Sequence, residues 1–419
     1  MSPIRPTVQL VGLRLEPSHH RLRDLLIRSA QPYDWIDAGS PEAEALFARH
    51  GLDDPPLPVL VDGDELHTAV TIDDLADAWS MREAPRREHY DFAVVGAGPA
   101  GLAAAVYAAS DGLATAVVEA DVPGGQASHT SMIENFFGFP EGIGGAELAR
   151  LAGRQAERFG AELVLLRAVV SGQHGPEGNR FELEGGYEIT ASVALAAPGM
   201  VWRRLEVDGV EELLGRGVYY GAGRSEALQC GGDDVVVVGA GNSAGQAVMN
   251  LAGAGARVKM IVRGDDLAKS MSAYLVERIE RQESIDVRLG TQVVELHTDG
   301  GDLASVTVAG PGGERESLPA AALFLCIGGQ PRTGWAAGAG VRTDRAGYIL
   351  TGPDLLEEGR RPEGWPLDRD PLALETSVPG LFAAGDVRHG STKRVAGAVG
   401  EGAMAVALAH RRLEELARR

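Results

Sequence analysis

Apolar residues in this chain gather into short unbroken runs that end on glycine or on an acid. Phe92–Val95, Ala114–Val118, Ala194–Pro198, Val235–Val238 and Leu381–Ala384 are of this kind, and runs of that length predict buried strands. Elsewhere the spacing turns helical: Leu102–Ser110, Gly145–Phe159 and Ala396–Ala417 predict helices, with a further strand over Ala161–Leu165. The first 80 residues carry a pattern of their own. Val8–Leu13, Asp34–Ile36 and Leu57–Asp64 predict strands, and Ser18–Ser29, Pro41–His50 and Ile72–Trp79 predict helices, the second capped by Ser40. Met81–Tyr90 is charged and holds a proline, the composition of a domain boundary.

Strand, turn and helix follow without a gap over Phe92–Ser110, joined by Gly96-Ala97-Gly98-Pro99-Ala100-Gly101. That order builds a dinucleotide-binding unit. Gly96 permits the turn, Gly98 lets backbone N–H groups approach a pyrophosphate at the helix N-terminus, and Gly101 allows close packing of helix on strand. The second strand ends on Glu119, placed to accept hydrogen bonds from a ribose. The nineteen residues Phe92–Ser110 carry no charge, a membrane-span length, but three glycines and a proline in strand-turn-helix order read as a soluble core.

A second unit opens at Asp234, with Gly239, Gly241 and Ala244 in the three glycine slots. Eighteen residues past the third slot stands Glu119 in the first unit and Val262 in the second, with Arg263 next. An acid there would repel a 2′-phosphate and a guanidinium would pair with it, which predicts NADPH over NADH, with Lys269 a candidate second contact. Two nucleotide units predict a resident flavin and a visiting nicotinamide. Leu381–Ala384 accordingly ends on Gly385-Asp386, a carboxylate and a backbone N–H for the flavin's ribityl edge. The long helix beyond would face its N-terminus to the flavin N1/O2 edge, where negative charge develops on reduction.

Composition narrows the partners. The chain has 39 basic and 59 acidic side chains, a formal charge of −20, which argues against nucleic acid or an anionic membrane as a main partner. Met1–Val11 holds two prolines and no long apolar run, so no signal peptide is predicted and a cytoplasmic location is expected. Two cysteines, Cys230 before a strand and Cys326 within one, exclude a disulfide framework, a Cys-rich metal site and any CxxC redox centre; both read as small buried hydrophobes.

The motifs VVGAGPAG, PGGQ, ENFFGFP, GRGVYY (Gly215–Tyr220), VVGAGNSA, LCIGGQPRT and LFAAGDVRHGSTKRVAGAVGEGAMA are spread from Tyr90 to the C-terminus. With them, this region resembles the low-molecular-weight thioredoxin reductases. The resemblance implies an α/β fold of two nested Rossmann-like dinucleotide-binding domains: an FAD domain from residues 90–203 and 319–419, an NAD(P)H domain from 204–318 between them, and usually a homodimer. It implies FAD contacts at Gly96, Gly98, Ala100, Glu119, Gly125, Gln126, Asn135 and Asp386, with Lys393, Arg394, Val395 and Ala396 at the isoalloxazine. NADPH would fall at Gly241, Asn242, Ser243, Ala244 and Arg263. Residues 1–80 resemble a glutaredoxin or thioredoxin-like α/β module whose central-strand proline, Pro58, is cis in that family; residues 81–89 are the linker.

Both resemblances break at the cysteines. Where the reductases carry their CxxC, this chain reads Gly221-Ala222-Gly223-Arg224, and where the thioredoxin-like module would carry its own, Glu16-Pro17-Ser18-His19-His20. His19 and His20 read as surface histidines, with a metal site the sharper alternative. Ser391-Thr392-Lys393-Arg394 is more basic than the family's stretch, and Leu356–Pro371 is longer and richer in proline, a structureless insertion or a loop over the site. Tyr219 and Tyr220 either line the space the disulfide vacates or pack in the core.

These readings predict an FAD oxidoreductase that takes hydride from NADPH and passes electrons, with no cysteine relay and no catalytic protein nucleophile or metal, to a ferredoxin- or flavodoxin-like protein or to a small molecule. Two alternatives stay open: a non-catalytic or sensory flavoprotein that docks a partner, and a low-molecular-weight disulfide reductase using Cys230 or Cys326. With no disulfide to alternate with NADPH at the flavin, little rotation of the nicotinamide domain is expected.

Overall fold

The computed structural model describes residues 6–175, 178–221 and 229–418. Ala222, Gly223 and Arg224 lie outside the described residues. The chain builds an amino-terminal sheet and two larger parallel sheets, each with an antiparallel meander attached.

The amino-terminal sheet has the order Tyr33–Asp37, Val8–Gly12, Val59–Asp62, Glu65–Thr68, parallel in the first pair and antiparallel in the others. Its helices run over Pro17–Arg28, Pro41–Arg49 and Ile72–Ala78. Local sequence fixes their starts: Ser40 accepts from the Ala43 N–H, and Thr71 and Asp74 form a reciprocal capping box. The Leu57–Pro58 peptide is cis, as the thioredoxin-like resemblance implies.

The central sheet is ordered Glu162–Val164, Thr115–Val118, His89–Val95, Tyr187–Ala196, all parallel. The far edge of Tyr187–Ala196 is shared: Tyr187–Ala191 pair antiparallel with Gly178–Leu183, and Ala194–Ala196 pair parallel with Leu381–Ala383. One side of this sheet buries Phe92, Val94, Val117, Leu195 and Phe382 under the helices Pro99–Ser110 and Val395–Ala417. These two helices meet through small residues. A Cβ on Gly402 would run into the Ala100 carbonyl, so alanine and glycine here are what allow the approach.

The inserted sheet repeats the plan with Val218–Tyr220, Ala322–Leu325, Asp234–Val238, Arg257–Val262 and Ile285–Leu289, all parallel. Its meander is Gln292–Asp299, Asp302–Ala309 and Arg315–Pro319. The strand that closes the edge comes first in this sheet and last in the central one. The chain leaves and returns along the antiparallel pair Met200–Trp202 and Gly329–Pro331. Ala322–Leu325 pairs inside the inserted sheet, so the return crossing falls at 329–331 and not at residue 319.

Two expectations change. The strand stops at Leu325 and Cys326 is the residue after it, although its N–H still bonds the Val238 carbonyl at 2.8 Å. Leu356–Pro371 is neither structureless nor a cover over the cleft. Arg369 forks onto Glu375, at 2.6 and 3.1 Å, and onto Glu415, at 2.6 and 3.0 Å, fastening the segment to the C-terminal helix. Among the described residues no helix is long and apolar enough to cross a membrane.

Candidate functional site

The glycine turn after His89–Val95 is shaped by sterics. Gly96 sits at φ 105°, a region closed to side chains, and a Cβ on Gly101 would collide with the Gly96 carbonyl. Gly98 caps the helix Pro99–Ser110 with extended backbone, and a Cβ there would meet nothing within 4 Å. The free N–H groups of the first helical turn therefore face open space, as anion binding requires.

That space is a cleft of about 790 Å³, within the roughly 300–1,000 Å³ range of ligand sites. Gly96, Gly98, Ala100, Glu119, Gly125, Gln126, Asp386, Lys393, Arg394 and Val395 line it. Glu119 accepts from the Ala97 N–H at 2.7 Å and the Asp121 N–H at 3.0 Å, and burial pushes its carboxyl above the usual range. Gly125, at φ 53°, approaches Gly98 so closely that a Cβ would lie 3.4 Å from the Gly98 Cα. Gln126 donates to the Met200 carbonyl at 2.9 Å, tying this turn to the crossing strands.

On the opposite wall, burial raises the Asp386 carboxyl and Lys393 opposes the shift. The Lys393 Nζ lies 3.9 Å from the Tyr348 ring centroid and 3.4 Å from the Asp386 carbonyl. Glu401, on the C-terminal helix, accepts from the Gly385 N–H at 2.7 Å and from Arg388 at 2.6 Å, which holds the Gly385-Asp386 turn against that helix. The sequence pattern does not mark Glu401, nor Arg28, His129, Trp202, Arg332 and Trp335, and these last five line the cleft. Just beyond Trp202 along the chain, Arg204 pairs with Glu211 at 3.1 Å.

Not every expected residue is gathered here. Asn135 is exposed and outside the cleft, and Ala396 does not line it. Of the second unit only Ser243 reaches the cleft. Gly241 caps the helix Asn242–Gly253 with open space above it, Asn242 exchanges hydrogen bonds with Ser272 at 2.8 and 3.0 Å, and Ala244 is fully buried. Arg263 is exposed at the end of Arg257–Val262, on the edge where the Gly239 N–H bonds the Ile261 carbonyl at 3.1 Å. Lys269 is paired with Asp265 at 2.6 Å, so it is already engaged.

Gly221 is buried beside Trp202, where an added Cβ would lie 3.6 Å from the indole, so the segment that would carry a CxxC starts at the cleft wall. Neither cysteine is in a disulfide, both are buried, and neither lines the cleft. Burial pushes the Cys326 thiol up to about 12. Tyr219 stacks on Phe324 at 5.4 Å and Tyr220 on Trp202 at 6.5 Å. His19 is not a surface residue: it is 4% exposed, and its Nδ1 accepts from the Leu13 N–H at 2.8 Å. His20 packs on Tyr219 at 4.9 Å. Among the described residues no cluster could hold a metal ion.

Comparison with known proteins agrees with this geometry. The family model described as pyridine nucleotide-disulphide oxidoreductase matches residues 90–402. A Bacillus subtilis thioredoxin reductase is 32% identical over 330 residues, covering 78% of this chain and 96% of that relative. The crystal structure of the T. acidophilum thioredoxin reductase superposes with a TM-score of 0.68 at 28% identity, covering 78% of this chain and all of the other. A bacillithiol disulfide reductase from Bacillus cereus, at 21% identity and a TM-score of 0.61 over 77% of this chain and 99% of its own, shares the fold. The chain belongs to the pyridine nucleotide-disulphide oxidoreductases and is a thioredoxin reductase-like flavoprotein that uses FAD and NAD(P)H.

Proposed function

We propose that the protein takes electrons from NADPH and delivers them from FAD straight to an acceptor, with no cysteine relay. One observation carries the relay-free reading: both cysteines are buried away from the cleft. FAD supplies the hydride-accepting and electron-passing chemistry when bound. Gly98 and Gly125 leave room for its pyrophosphate over the first helical turn, Glu119 would hold a ribose, and Asp386 with the following N–H groups would hold the ribityl edge. Lys393 and the N-terminus of Val395–Ala417 bring positive potential to the far end of the cleft, where reduction adds negative charge. Arg263, on the edge beside the Gly239 turn, would select the 2′-phosphate of NADPH. The acceptor is a small redox protein or a small molecule, low-molecular-weight disulfides among the latter.

Anaerobic rapid mixing of the flavin-loaded protein with NADPH and with NADH tests this reading. Fast bleaching by NADPH and slow bleaching by NADH are expected. Arg263→Ala should raise the KM for NADPH about tenfold, the loss of one charge-assisted contact, and leave NADH unaltered. Bleaching by neither nucleotide would give preference to a sensory flavoprotein.

A further inference from the structure

The amino-terminal module has no redox cysteines, yet it reaches the cofactor cleft. Its helix Pro17–Arg28 sends Arg28 into the cleft lining. The guanidinium forks onto Asp121, with Nη1 to Oδ2 at 2.7 Å and Nη2 to Oδ1 at 3.2 Å, while its Nε donates to Asp24 at 2.7 Å. Asp24 in turn stands 3.6 Å from His129, another lining residue. A second tie is apolar. Val122, 1% exposed, belongs to the module's own core with Leu22, Leu26 and Trp79.

Both ties grip one loop. It begins at Glu119, expected to hold the ribose, and ends at Gly125-Gln126, expected beside the pyrophosphate. Within it the Asp121 N–H bonds Glu119 and the Gly124 N–H bonds the Ala97 carbonyl at 2.8 Å. A shift of Asp121 therefore moves both cofactor-facing ends. A bidentate guanidinium–carboxylate pair fixes direction as well as distance, and it also offsets a second negative charge next to Glu119.

We infer that the amino-terminal module is a cofactor-retention element, with Arg28 as a positioning residue that holds the Glu119–Gln126 loop in its FAD-binding shape. This rests on FAD occupying the cleft. The module's missing cysteines then have a plain meaning: its work is mechanical.

The test is FAD affinity, measured on full-length apoprotein by quenching of flavin fluorescence. Arg28→Ala should weaken FAD about tenfold, Arg28→Lys less, and Asp121→Asn should match Arg28→Ala. The double variant Arg28→Ala/Asp121→Asn should be no weaker than either single one, because one grip is lost. Arg21→Ala, exposed on the same helix, should bind as wild type. If Arg28→Ala fails to fold, Asp121→Asn decides. Wild-type affinity in Arg28→Ala or in Asp121→Asn, or additive losses in the double variant, would overturn the inference alone. A wild-type apoprotein that takes up no FAD would overturn the functional reading and this inference with it.

Discussion

Cys326 shows how position decides chemistry for a single residue. Its thiol is buried, and its backbone packs against the Gly239 turn so closely that a Cβ on Gly239 would collide with the Cys326 carbonyl. With ionisation pushed up to about 12, no useful thiolate exists at neutral pH, and a thiolate is what attacks a disulfide. Cys326→Ser should therefore leave NADPH-dependent turnover unaltered, and a thiol reagent should not label Cys326 in the native protein at pH 7. The sign with pH follows. Unfolding releases the thiol to ionise near its ordinary value, so wild type should lose stability relative to Cys326→Ser as pH rises from 9 towards about 12. Thermal melts across that range read the difference. The residues that make the cleft divide by how local their reasons are. Gly96, Gly98, Gly101 and Glu119 were legible because a tight turn and a strand end dictate them within thirty residues of sequence. Arg28 and Arg332 were not, since each reaches the cleft from a distant segment and no local pattern marks it. His19 reads as a surface residue because a pair of adjacent histidines carries no burial signal, although its partner, the Leu13 N–H, is only six residues away.

At the level of elements, two helices set the shape of the cleft. Pro99–Ser110 and Val395–Ala417 touch where Gly402 faces Ala100, and Ala100 is also a lining residue. Gly402→Ala should cost about 1–3 kcal/mol by overpacking, seen as a lower Tm, and should loosen FAD because Ala100 must shift. Gly400→Ala is the control, since a Cβ there meets nothing within 4 Å; it should gain up to about 1 kcal/mol from helix propensity. The existence of both helices was plain from the sequence. The sequence pattern places their starts three residues and one residue late, because the small and glycine-rich first turns carry no apolar periodicity.

Across the whole molecule, the helix Pro17–Arg28 and the residues just before it touch both parallel sheets. Towards the inserted sheet, Arg14 pairs with Asp233 at 3.0 Å, Arg23 donates to Gln229 at 2.9 Å and His20 packs on Tyr219. Towards the central sheet, Arg28 holds Asp121. A wedge fastened on both sides resists rotation of one sheet against the other. Each exposed pair is worth up to about 1 kcal/mol, so Arg14→Ala should raise amide hydrogen exchange around Asp234–Val238 by roughly fivefold or less. Unchanged exchange would mean the orientation is set elsewhere, for example by the Arg278–Glu134 pair at 2.9 Å.

The edge strand comes first along the chain in the inserted sheet and last in the central one, and this ordering has a consequence for biosynthesis. All five strands of the inserted sheet lie between residues 218 and 325, so a nascent chain can finish that sheet early. The central sheet waits for Leu381–Ala383, and its helical cover for Val395–Ala417. The lobe built on the inserted sheet can thus be complete while the central sheet still lacks a strand, and the cleft that Leu381, Asp386 and Val395 line is unfinished until those last segments emerge.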